Sequence, residues 1–130
     1  VSTTTQKINE FFGITKLEFE DEQVMSILKR ACDSVTKNLT SQEVNNDTYL
    51  KIEQYIECEL NELKNKYEVL DQDDEWFIRP LPCRDVWTIQ VRVGNNEKEF
   101  RKDYNCNITF FEEGKIVVGG VEMYKCMDII

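Results

Sequence analysis

The amino-acid sequence predicts an α+β fold, with an N-terminal helical hairpin packed on a C-terminal antiparallel meander of four to five strands. Three observations predict it. Apolar residues recur with helical spacing from Val24 to Leu70. From Trp87 onward they alternate with period two, as in a half-buried strand. Between these regimes lie an acidic run, Asp71 to Glu75, and two prolines, Pro80 and Pro82, that a helix interior would not tolerate. Each half therefore carries one apolar face, and stacking the two in layers hides both. At 130 residues a single domain, 1–130, can supply such a core without staples. Residues 1–16 are assigned to an N-terminal amphipathic turn or docking peptide, 21–70 to the helical hairpin and 76–130 to the sheet. Val1 in place of Met fits a processed chain or a piece of a longer one.

The chain opens on polar Val1 to Gln6, followed by Lys7 to Phe12 and a stop at Gly13. One helical turn here carries Ile8, Phe11 and Phe12 on one side. That turn resembles the short peptide by which many replication and repair proteins dock on the sliding clamp PCNA. In that peptide a Gln, an aliphatic residue and two aromatics form one 3₁₀ turn. The resemblance covers Thr5 to Phe12: Ile8, Phe11 and Phe12 match the hydrophobic plug, whereas Thr5 stands at the Gln position and Gln6 is one residue out of register. It implies a clamp-docking accessory protein with these three residues as its contacts. Read without it, the same residues cap the core.

Leu17 to Asp21 reads as a short strand or lead-in, with Glu20 or Asp21 capping the helix that follows. Val24, Leu28, Ala31, Val35 and Leu39 form the stripe of that helix, broadened by Met25, Ile27 and Cys32. Thr40 to Thr48 breaks it, and Asn46 or Asp47 is the expected cap of a longer helix from Tyr49 to Leu70. Its stripe is Tyr49, Ile52, Ile56, Leu60, Leu63, Tyr67 and Leu70, at gaps of three and four, with Cys58 on or near it. Glu53, Glu57, Glu59 and Lys64 suit a solvated face. The run Asp71 to Glu75 begins like a calcium loop, but Trp76 stands where the turn glycine belongs and no Glu closes it. Solvation is the expectation for this run, because a helix C-terminus repels carboxylates.

In the second half, Trp87, Ile89, Val91 and Val93 form one strand face, and Gly94-Asn95-Asn96 a turn. A charged strand follows from Glu97 to Tyr104, read as an edge with Phe100 and Tyr104 pointing inward. Cys106, Ile108 and Phe110 alternate next. Glu112-Glu113-Gly114 closes a hairpin, with Gly114 in the left-handed position, and Lys115 to Val118 returns. Pro80 and Pro82 place the region before Trp87 in an extended crossing or edge.

Chemistry is bounded mainly by what is missing. The chain has no His, so the usual acid–base and nucleophilic triads and most catalytic zinc sites fall away. No glycine-rich phosphate loop is present. The sequence predicts no enzyme, no cofactor and no metal site. The net charge of −9 sits in the helical half: from Glu18 to Glu75 there are sixteen acidic and six basic residues, and from Trp76 onward eight of each. That disfavours nucleic acid and anionic membranes and suits a basic protein partner. No run of 18 apolar residues spans a membrane.

The expectation is a non-catalytic protein–protein interaction module, a subunit or domain of a larger intracellular assembly. Its contacts are Ile8, Phe11 and Phe12 and the remaining apolar surface of the long helix, at Tyr55, Tyr67 and Leu70, which also offers a route to homo- or hetero-oligomers. Five cysteines, an odd count without a C-x-x-C, favour reduced thiols and an intracellular location. Three sequons, at Asn38, Asn46 and Asn107, where chance gives about one, point the other way, to a secreted or viral glycoprotein domain.

Overall fold

The computed structural model describes residues 16–70, 73–96 and 99–125. Two helices, α1 (Lys16–Thr36) and α2 (Asn46–Lys66), precede four strands: β1 (Glu75–Cys83), β2 (Val86–Gly94), β3 (Phe100–Phe110) and β4 (Ile116–Lys125). The strands form one antiparallel sheet in the order β1-β2-β3-β4. The helices pack on it, so the fold is α+β with its helices N-terminal to its strands. No described helix is long and apolar enough to cross a membrane.

Helix α1 starts five residues earlier than the sequence pattern predicts, taking in Leu17 to Asp21. The reason lies on the stripe. Glu20 stands four residues before Val24 and seven before Ile27, so it belongs to the buried face, and Phe19 beside it packs edge-on against Tyr67 at 5.0 Å. Val24, Ile27, Leu28, Ala31 and Cys32 are fully or almost fully buried. A 3₁₀ turn, Ser41–Glu43, capped reciprocally by Thr40 and Glu43, carries the chain to α2. The cap of α2 is Asn45 rather than Asn46 or Asp47: its side-chain oxygen accepts from the amides of Asp47 and Thr48 at 2.9 and 3.2 Å.

Ile52, Ile56, Leu60 and Leu63 of α2 are buried as the spacing requires. Cys58 is exposed, so it lies off the stripe. The helix ends at Lys66 rather than Leu70. Tyr67 turns extended (φ −138°, ψ 152°), and the departing chain buries Val69, which helical periodicity does not pick out.

Helix α1 lies against α2, β3 and β4, whereas α2 touches the sheet only lightly, at β1. Ile89, Val91 and Val93 of β2 and Tyr104, Cys106 and Ile108 of β3 meet the helices. Strand β3 is central, not an edge as its charge suggested. A register shift pairs Gly94 with Phe100 but Val93 with Lys102, and so moves Phe100 to the opposite face, where it meets Phe77 and Arg92. Lys102 takes the inward position. The helix-free face of the sheet is laced by polar pairs: Thr88 donates to Asn107, Gln90 to Asn105, and Arg92 pairs with Asp103. Gly114 turns the last hairpin at φ 98°, as expected.

Candidate functional site

Two polar features stand out against this apolar core. The first is a buried charge cluster where α1 crosses β3. Lys102 Nζ donates to Asp21 at 2.6 Å, and the Tyr104 hydroxyl donates to the same carboxylate oxygen. Asp21 thus takes both donors, leaving Glu20 with a 3.6 Å contact to Lys102, the nearby Trp76 indole and no well-formed hydrogen bond to either oxygen. Burial pushes Glu20 up to about 7 against the pull of Lys102, with Asp21 adding to the rise. Tyr104 is likewise held protonated, by burial and by donating to Asp21. Beside them Asp74 pairs with Arg101, so this member of the acidic run is buried rather than solvated as expected. The cluster is closed to solvent, and we assign it to the fold.

The second feature is open. A groove of about 590 Å³ runs between α2 and β1. Its helical wall is Glu53, Glu57 and Asn61, its floor Leu60, Trp76 and Ile78, and its far side Phe77, Arg79 and Phe100. The wall follows from the spacing of α2: Glu53 and Glu57 are four apart, on a row next to the buried Ile52, Ile56 and Leu60. Tyr49 stands one turn before Glu53; burial first, and then the Glu53 carboxylate, raise the tyrosine hydroxyl. The floor follows from register. Trp76 faces Val93 and Ile78 faces Val91, and opposed residues share a sheet face.

The far edge of β1 has no strand beside it among the described residues. Proline is tolerated in a sheet only where its missing N–H would point away from the ladder. Pro80 and Pro82 therefore mark the even-numbered residues of β1 as those whose backbone polar groups face outward. By the same parity Trp76 and Ile78 turn their N–H and C=O groups outward at the groove, where no described strand pairs with them, and the prolines end that stretch. The site offers carboxylates, a guanidinium, an indole floor and a short length of open strand. Its lining residues include no nucleophile paired with a base. Among the described residues no group of three or more Cys, Asp or Glu is placed to hold a metal ion.

Of the residues singled out from the sequence, Tyr55, Tyr67 and Leu70 are half-buried and packed against the core, and none of them lines the groove. Ile8, Phe11 and Phe12, with the whole clamp-docking resemblance, lie outside the described residues. The groove residues escape a sequence reading because Glu53 and Glu57 look like ordinary solvated positions. Only the pairing of an acidic helix row with an aromatic strand, about 20 residues away in sequence, makes a site of them. Comparison with protein-family models, with curated proteins and with solved structures returned no match.

Proposed function

We propose that this protein is a non-catalytic protein–protein interaction module, a subunit or domain of a larger intracellular assembly. Its groove between α2 and β1 would take a basic, extended segment of the partner. The observation that carries this reading is the acidic rim of Glu53 and Glu57 over the Trp76 and Ile78 floor, beside a length of strand edge that no described strand pairs. An extended peptide adds to such an edge through its backbone, while alternate side chains reach the wall. Lysine or arginine at those positions meets two carboxylates in the stretch Glu53 to Glu62 of α2, which carries four acidic residues and no basic one. The odd cysteine count supports an intracellular setting.

The test uses a labelled decapeptide alternating Lys with Val, followed by fluorescence anisotropy. Binding is expected, and the paired change Glu53→Lys with Glu57→Lys should weaken it by about tenfold or more. Equal binding by that variant, or by a peptide with Glu replacing Lys, would sink the proposal.

One observation favours a second reading, a secreted glycoprotein interaction domain. All three sequon asparagines, Asn38, Asn46 and Asn107, are exposed. Intact-mass measurement of the native product decides between the two, since glycan mass on these residues supports the second.

A further inference from the structure

The sheet face turned away from the helices carries its side chains in rows that run in register from β1 to β4. One row is Phe77, Arg92, Asp103 and Tyr124, and the next is Arg79, Gln90, Asn105 and Glu122. The third is Leu81, Thr88 and Asn107, which meets β4 at Gly119 and Gly120, where the register slips by one residue. The fourth is Cys83, Val86, Thr109 and Val117. Six large apolar side chains are exposed among the described residues, and Leu81, Val86, Val117 and Tyr124 of these lie on this face. Leu81 and Tyr124, at opposite edges, are 41% and 51% exposed. Concentration on one face marks an interaction surface rather than scattered surface residues. Arg79 and Glu122 are exposed at opposite edges as well, and the Tyr124 hydroxyl donates to Glu122. In the middle the polar side chains already bond one another, Thr88 to Asn107 and Gln90 to Asn105, and covering them leaves those bonds intact.

We infer that this face binds the same face of a second copy of the chain, about a two-fold axis parallel to the strands. Stacking the sheets about that axis lays β1 of each copy over β4 of the other and keeps every row over itself. Arg79 then faces Glu122 of the second copy, and symmetry makes this ion pair twice. Phe77 meets Tyr124 in the same way. Leu81 projects over Gly119 and Gly120, and Gly120 has open space where a Cβ would stand. A two-fold axis across the strands would instead bring Arg79 toward Arg79 and Glu122 toward Glu122, so charge selects the first arrangement. Four strands of nine or more residues give a face of about 20 by 30 Å. The pair thus buries on the order of 1,200 Å² in total, which clears the roughly 1,000 Å² that a specific interface needs. Both helices, with the acidic wall of the groove, remain on the outside.

Sedimentation equilibrium of the full chain tests this. Twice the mass of one chain is expected at about 100 μM. Arg79→Glu and Glu122→Arg each set like charges against each other at both contacts, and each should weaken the pair about tenfold or more. Both side chains are exposed, so neither change touches the core. Mixed in equal amounts, the two variants should pair with each other as tightly as the parent does with itself, since one brings only carboxylates and the other only guanidinium groups to these positions. The proposal is overturned if the parent has the mass of a single chain, whatever else then covers the face, if either variant pairs as tightly as the parent, or if mixing restores nothing. A glycan on Asn107 of the native product, standing in the middle of the face, overturns it too.

Discussion

Two adjacent carboxyl groups buried beside one lysine cannot both be fully partnered. Asp21 takes Lys102 and Tyr104, and Glu20 is left in an apolar setting where its ionised form is penalised. The consequence for stability has a definite sign. Folded Glu20 holds its proton up to about pH 7, whereas unfolded it would ionise near 4.5. Between those values the native state binds more protons than the unfolded one, so raising the pH through this window lowers stability. Each tenfold weakening of an acid corresponds to about 1.4 kcal/mol, which makes the total loss a few kcal/mol at most. Urea titrations of Glu20→Gln should show a flatter dependence between pH 4.5 and 7, and a variant more stable than the parent at pH 8. A variant less stable at pH 8 would mean that ionised Glu20 holds the fold together through Lys102. The sequence contains part of this cluster. Counting back from Val24 and Ile27 puts Glu20 on the stripe, and parity with Tyr104 and Cys106 puts Lys102 inside, but a hydrophobicity pattern gives no reason to bury either.

At the scale of the element, helices and strands are legible where one face is apolar, and their ends are less so. The stripe of α2 can be followed residue by residue from Ile52 to Leu63. Its end is predicted four residues late because Tyr67 and Leu70 keep the helical spacing while the backbone has already turned extended to seat Tyr67 on Phe19. The hairpin joining β1 and β2 escapes the sequence altogether. Its two turn residues, Arg84 and Asp85, contain no glycine, yet Arg84 adopts φ 39°, a left-handed conformation that an L side chain resists. From sequence, β1 is accordingly only an extended crossing or an edge, and its hairpin with β2 is not foreseen. Glycine at this position should relieve the strain, and Arg84→Gly is expected to raise stability by about 1 kcal/mol. Chemical denaturation measures this directly. A loss of similar size would show that the Arg84 side chain contributes more than its backbone costs.

On the scale of the whole molecule, the two-layer arrangement is legible because each half hides only one face, whereas the groove is not, because no single segment contains it. Its two walls come from the acidic half and the neutral half of the chain, and its character is the contrast between them. That contrast also supplies a way to separate function from folding. Glu53 and Glu57 sit at the rim among other carboxylates of α2, within a helical half carrying sixteen acidic and six basic residues. Mutual repulsion there destabilises the compact state at low ionic strength and is screened as salt rises past a Debye length of about 10 Å. If the two glutamates serve the fold, the paired change to lysine should lower the melting temperature, since it removes the Glu53 carboxylate beside the Tyr49 hydroxyl. If they serve a basic partner, the same change replaces two negative charges by two positive ones on a crowded acidic surface. The melting temperature should then hold or rise by about a few degrees at roughly 10 mM salt, with the gain fading by about 300 mM, while the lysine-rich peptide is no longer bound. Scanning calorimetry at the two salt concentrations, set beside the anisotropy measurement on the same protein, reads both quantities. A variant that loses binding and stability together assigns Glu53 and Glu57 to the scaffold, and one that loses binding alone assigns them to recognition.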